Sequence, residues 1–142
     1  MTRVAVAVTF VCAVWCAFSA NAALAGSPRG QNYLVHVFTS FGTEFEDCFF
    51  FSKTGKLNIS DYGTILYRFD ALNTKASNWQ ALSGAKPPHG FALAFHGHVS
   101  GSTGDTLDGD GVSSEGNTFI LQGVMDSTCR SAARASASRY QH

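Results

Sequence analysis

The sequence predicts an all-β protein: a single small antiparallel meander, with an up-and-down barrel favoured over a two-sheet sandwich, and one disulfide. Charged residues make up only 14% of the chain, below the roughly 25% of an average globular protein. Phe and Gly are abundant, at 12 and 14 residues. Runs of β-branched and aromatic residues recur between turn-forming residues, as in a sheet of short strands. The length suits one domain, and no internal repeat is visible.

The first 25 residues are typical of an export signal. Arg3 supplies a positive start, an apolar run of 16 residues spans Val4–Ser19, and Ala20–Ala25 offers small-x-small cleavage sites. A retained membrane anchor is the alternative, but this run is shorter than the about 20 residues that spanning requires. We therefore predict a signal peptide over these residues, cleaved after Ala22 or Ala25, and export to the periplasm or the extracellular space.

Two cysteines remain after this cleavage, Cys48 and Cys129. In an oxidising compartment an even pair most simply forms one disulfide, and two free thiols are the alternative. The bridge would close a loop of about 80 residues, which the chain-entropy model values at up to about 4–5 kcal/mol. The sequence therefore predicts a disulfide between these two residues.

The mature chain carries almost no net charge. Without Arg3, nine basic residues stand against ten acidic ones, a formal charge of −1. This balance gives no electrostatic reason to expect nucleic acid or an anionic membrane as a partner. We predict no nucleic-acid partner and, after cleavage, no membrane partner.

A β domain is predicted over residues 26–129, because strand-like runs follow one another there with mostly short connections. Gly97, Gly109, Gly111 and Gly123 fall inside these runs and fit a strongly coiled sheet, which favours the barrel over the sandwich. The seven runs are Asn32–Phe41, Glu46–Lys53, Leu57–Ser60, Thr64–Asp70, Gly90–Gly101, Asp105–Val112 and Asn117–Ser127.

Two segments lack the strand pattern. Thr74–Gly84 is predicted to hold a helical turn or two, which the following prolines end because proline supplies no ladder donor. Residues 130–142 are rich in Ala, Ser and Arg, and we predict a disordered or frayed C-terminal tail. Tyr62 and Trp79, in predicted connections, are expected either to lid the mouth of the barrel or to plug its core. We favour the second alternative, in which both side chains fill the core.

His96 and His98 are the main candidate site residues. Residues two apart in a strand share a face, so these histidines point together, away from the core face that includes Phe95. If a hairpin follows, Asp108 and Asp110 join them on that face. Two His and two Asp form a conceivable transition-metal site, since zinc takes three or four N, S or O ligands. The plainer interpretation is a polar outer face in which Asp and His pair across the ladder.

No motif in the sequence identifies an activity. The calcium-loop pattern is not met near Asp110, Ser100 lacks the glycines of a nucleophile elbow, and no phosphate-binding loop occurs. Small exported barrels include ligand carriers and inhibitors, an analogy of architecture that does not fix function.

We therefore predict no catalytic residue and no cofactor, with a metal as the exception just named. The expected function is a non-enzymatic secreted or periplasmic binding module for an unknown small molecule or protein. One alternative is a structural or surface protein with no discrete site. The other is a metal-dependent enzyme that uses the His/Asp cluster of a β-hairpin.

Overall fold

The structure, a computed structural model, describes residues 26–129. Eight antiparallel strands follow one another in chain order and close into a barrel, because the last strand pairs with the first. The strands are β1 (Asn32–Thr39), β2 (Glu44–Phe51), β3 (Lys56–Ile59), β4 (Gly63–Asn73), β5 (Ala76–Leu82), β6 (Leu93–Ser100), β7 (Thr106–Ser113) and β8 (Thr118–Met125).

This architecture confirms the all-β class, the antiparallel meander and the barrel. The predicted signal peptide and the predicted C-terminal tail lie outside the described residues. Within the described part of the chain, no helix is long and apolar enough to cross a membrane.

Seven of the eight strands coincide with the predicted runs to within three residues at each end. The eighth, β5, lies in the segment that was predicted to hold a helical turn. The predicted helical turn is wrong: β5 is extended and pairs with β4 on one side and β6 on the other. Its buried residues Ser77, Trp79 and Ala81 alternate with exposed ones. Asn, Gln and Ala have low strand propensity, but pairing on both sides and burial of the alternate residues override it.

Aromatic side chains fill the interior of the barrel. The Phe51 ring lies 5.7 Å from Tyr33, 4.9 Å from Tyr67 and 5.3 Å from Trp79, each in an edge-to-face arrangement. Tyr33, Phe51 and Trp79 have no solvent-exposed surface. Burying a large apolar side chain contributes about 1.5–3 kcal/mol, so this cluster is a main source of stability. Trp79 therefore plugs the core, from a strand and not from a connection.

Two facing glycines make room for the Trp79 indole. Gly97 on β6 is directly opposite Gly109 on β7, and neither has a positive φ. A Cβ atom at Gly97 would lie 2.8 Å from Trp79 Nε1, and one at Gly109 would lie 3.1 Å from Trp79 Cζ2. The indole Nε1–H donates to the carbonyl oxygen of Asp108 at 3.3 Å. Close approach is thus the reason for glycine at both positions.

Turn residues bond to buried tyrosines at both ends of the barrel. At the end where β1 begins, the Tyr33 hydroxyl donates to the carbonyl oxygen of Gly104 at 2.8 Å. At the opposite end, the Tyr62 hydroxyl donates to the carbonyl oxygen of Phe91 at 2.7 Å. Tyr62 is 6% exposed, so it also plugs the core. Main-chain carbonyl oxygens therefore accept the hydrogen bonds of both buried tyrosine hydroxyls.

Cys48 and Cys129 form a disulfide, which confirms the predicted pairing. Their Cα atoms are 5.7 Å apart, inside the usual range of about 4.4–6.8 Å. The bond joins β2 to the segment that follows β8, across a sequence separation of 81 residues.

Candidate functional site

The four predicted site residues lie together on the outer wall of the barrel. His96 on β6 is directly opposite Asp110 on β7, and His98 is directly opposite Asp108. Phe95, the neighbour of His96, is 7% exposed and points into the core. The strand alternation thus places both histidines and both aspartates on one face.

The two histidines make different contacts. His96 Nδ1 lies 2.9 Å from Asp110 Oδ1, and these side chains are 71% and 58% exposed. His98 Nδ1 instead lies 3.1 Å from Asn78 Oδ1 on β5. Asp–His pairing across the ladder is therefore present at His96, whereas His98 bonds to the strand on its other side.

The His/Asp cluster does not converge on one point. In the 26–129 region, no group of three or more His, Cys, Asp or Glu side chains is arranged to hold a metal ion. A zinc ion needs three or four ligand atoms at about 2.0–2.3 Å. The metal site over His96, His98, Asp108 and Asp110 stays a prediction, and metal analysis is its test.

Closure of the barrel extends this polar face onto β8, β1 and β2. Asp108 is opposite Gln122 on β8, which is opposite His36 on β1. His36 is in turn opposite Glu46 on β2. These four side chains form one continuous row across four strands.

A second row lies beside the first and is offset from it by two residues on each strand. Asp110 is opposite Ile120, Ile120 is opposite Phe38, and Phe38 is opposite Glu44. Between the rows, the His36 and Phe38 rings stack with centroids 4.5 Å apart. His36 Nε2 also lies 3.4 Å from Glu44 Oε2. Ile120 is 57% exposed, so the second row is acidic at its ends and apolar in its middle.

Sequence reasoning missed the half of the face that β8, β1 and β2 contribute. The alternation in "NYLVHVFT" places His36 and Phe38 on the face opposite the core, which is a usable local signal. Their neighbours, however, follow from the pairing of β1 with β8. These strands are far apart in sequence, and only closure of the barrel brings them together.

We call the outer faces of β6, β7, β8, β1 and β2 the acidic wall. These five adjacent strands contain no Lys or Arg. The basic residues of the other strands are Lys56 on β3 and Arg68 on β4. The near-zero net charge of the chain therefore conceals a strong asymmetry. The exposed carboxylates of the wall are Glu44, Glu46, Asp108 and Asp110.

The acidic wall is recessed. Three overlapping depressions, of about 510, 420 and 380 Å³, extend across it to β2 from the neighbouring strand β5. The largest shares Asp108 and Gln122 with the second, and His96, Asp110 and Ile120 with the third.

Asp47 is a candidate of another kind, because it is a buried carboxyl group. It lies on β2, is 6% exposed, and accepts hydrogen bonds from the main-chain N–H groups of Cys48 at 2.7 Å and Asp61 at 3.4 Å. Burial, together with the charge of Asp61, raises the pKa of Asp47 to about 7. Such a shift is common in catalytic groups. Asp47 lines none of the three depressions, so we assign it to the fold.

No protein-family model matches the chain, and no curated protein matches it. Among solved structures, the chain is similar to a redesigned β-barrel, with 9% sequence identity and a TM-score of 0.33. The likeness covers 72% of this chain and 96% of that one. So weak a likeness carries no weight for fold or function, and the functional conclusions rest on the acidic wall itself.

Proposed function

We propose that the protein is an exported, non-enzymatic binding module that acts in the periplasm or outside the cell and binds a protein partner through the acidic wall. The observation that carries this proposal is a contrast: the interior of the barrel is filled, whereas its outer wall is recessed and bears exposed polar groups.

The interior leaves a small molecule little to bind. Barrels that carry ligands hold them in an open interior. Here Trp79, Tyr33 and Phe51 occupy that space with no exposed surface. The Tyr33 hydroxyl donates its hydrogen bond to the carbonyl oxygen of Gly104 at 2.8 Å, so this donor is already used within the protein.

The wall has the dimensions of a protein interface. It comprises five strands of eight residues each. Laid flat, with about 4.8 Å between strands and about 3.3 Å per residue, it measures about 24 by 26 Å. Because these are five of the eight strands of a closed barrel, the wall curves round more than half of the circumference, and a partner must curve with it. Specific complexes bury about 800 Å² on each partner, a comparable area. A shallow, open recess suits a protein surface better than a small molecule, because small-molecule sites enclose most of their ligand.

A dye titration separates this proposal from a ligand carrier. N-phenyl-1-naphthylamine fluoresces strongly when it enters an apolar cavity, so a hollow barrel gives a saturable rise in fluorescence. We expect no saturable rise with this protein. A saturable rise that apolar competitors reverse would show that the interior binds ligands, and it would contradict the proposal that the acidic wall is the binding site.

A capture experiment tests the wall directly. The full chain is used as bait against the exported fraction of the source cells, beside a Gln122→Arg variant in the wall and a Thr64→Arg variant on β4 as the matched control. We expect one partner to be captured by the wild type and by the control, and to be lost with Gln122→Arg. Absence of any specific partner would favour a structural or surface protein. If the Gln122→Arg variant captures the partner as well as the wild type does, the acidic wall is not the binding surface.

A metal-dependent enzyme is the second candidate, because His96 contacts Asp110 at 2.9 Å and His98 is opposite Asp108. The protein is purified without a histidine tag, incubated with zinc chloride, desalted and analysed for metal. We expect less than about 0.1 equivalent of bound zinc. A full equivalent that is lost in a His96→Ala and His98→Ala double variant would support the metal site in place of the binding module.

A further inference from the structure

We propose that the acidic wall binds a basic polypeptide segment in which cationic side chains flank an apolar one. This inference rests on the proposed function, and it names the chemical class of the partner. It is carried by the arrangement of carboxylates and apolar side chains on the wall.

Four carboxylates stand at the corners of a rectangle. Glu44 and Glu46 are two residues apart on β2, and Asp108 and Asp110 are two residues apart on β7. The strand registers align Glu46 with Asp108 and Glu44 with Asp110, three strands away. At about 4.8 Å between strands and about 3.4 Å per residue, the rectangle measures about 14 by 7 Å along the sheet.

The floor of this rectangle is half polar and half apolar. His36 and Gln122 lie in one row, and Phe38 and Ile120 lie in the other. Ile120 is 57% exposed, and the stacked His36 and Phe38 rings lie beside it. An apolar side chain of a partner can cover Ile120, while Gln122 can pair with its main chain.

No cation of the wall neutralises the corners. The five strands carry no Lys or Arg, so Glu44 and Asp110 contact histidines instead, His36 at 3.4 Å and His96 at 2.9 Å. Carboxylates grouped in this way raise the local concentration of cations and steer them to the surface. Arginine or lysine side chains of a partner can therefore pair with opposite corners, on either side of the apolar contact.

Fluorescence anisotropy with a synthetic peptide tests the proposal on the full mature chain. The probe is a fluorescein-labelled peptide of alternating arginine and leucine, and the comparison peptides replace arginine by glutamate or leucine by glycine. We expect saturable binding of the arginine–leucine peptide at low ionic strength, weaker binding at about 150 mM salt, weaker binding of the arginine–glycine peptide, and none of the glutamate–leucine peptide.

Charge-neutral variants locate the binding. A Glu46→Gln and Asp108→Asn double variant is expected to bind the probe about three- to tenfold more weakly, as the loss of two exposed ion pairs predicts. Asp70→Asn, an exposed aspartate on β4, is the matched control and should leave the affinity unchanged. Equal affinities of the wild type and the double variant, or no binding at low ionic strength, would overturn the proposal.

Other occupants of the wall give different results. Self-association that sedimentation velocity detects, and that the Glu46→Gln and Asp108→Asn variant abolishes, would assign the wall to a second copy of this chain and overturn the proposal. If Gln122→Arg abolishes partner capture while the peptide does not bind, the binding function stands and the basic class of partner is wrong. The two proposals can therefore fail separately.

Discussion

Asp47 should make the barrel less stable as the pH rises from about 4 to about 7. Burial and the charge of Asp61 raise the pKa of this carboxyl group from 3.8 to about 7 in the folded protein. Between these values the folded state keeps a proton that the unfolded state has lost, so the free energy of unfolding falls with increasing pH. The stabilisation that comes from protonated Asp47 is fully present below the pKa of the unfolded state, 3.8. It is lost as the pH rises through the pKa of the folded state, about 7.

The size of this effect follows from the shift. About three pKa units at 1.36 kcal/mol per unit give a penalty of up to about 4 kcal/mol for holding Asp47 ionised. An Asp47→Asn variant removes the titration but keeps a side-chain oxygen for the Cys48 N–H, which donates to Asp47 at 2.7 Å. At pH 8 we expect the variant to be about 2–4 kcal/mol more stable than the wild type, and at pH 4 no more stable.

Urea unfolding followed by the fluorescence of Trp79 measures this difference across the pH range. Other groups titrate in both proteins, so the difference between wild type and Asp47→Asn isolates Asp47. Asp61→Asn is the matched control, because removing that charge should lower the pKa of Asp47 and reduce the slope without abolishing it. A difference in stability that stays constant from pH 4 to pH 8 would refute the reasoning.

Three further predictions concern the disulfide and the core. Replacing Cys48 and Cys129 by Ser should lower the free energy of unfolding by about 2–4 kcal/mol in urea titrations without reductant, and an unchanged midpoint would contradict a stabilising bond. Gly97→Ala should lower the free energy of unfolding by about 3 kcal/mol or more in urea titrations, since its Cβ would clash with the main-chain oxygen of Asp108 and would lie 2.8 Å from Trp79 Nε1. Gly84→Ala, with nothing within 4 Å of its Cβ, should be nearly neutral in the same urea titrations, and equal losses of stability in the two variants would refute the close-approach explanation. Trp79→Ala should cost about 3–5 kcal/mol in urea unfolding, and a loss below about 1 kcal/mol would mean that the indole is not a core residue.

Local alternation determined most of the fold from the sequence alone. Phe49 and Phe51 fall on one face of β2, with Cys48 on the other, and the structure buries the two phenylalanines as this pattern requires. The faces of β6 and β7 are predicted in the same way, including the side that His96 and Asp110 share. The disulfide was predicted because one pair of cysteines remains once the predicted signal peptide is set aside. These inferences succeed because a strand alternates every two residues whatever its neighbours are.

Tertiary structure alone decided the rest, because it depends on pairing between distant residues. The strand at Trp79 exists because β4 and β6 pair with it on both sides, against the propensity of its own residues. Gly97 and Gly109 are glycines because a Cβ atom at either position would meet the main chain of the opposite strand and the indole of Trp79. The acidic wall exists because β1 closes onto β8 and brings His36 beside Gln122, a contact between strands at opposite ends of the domain.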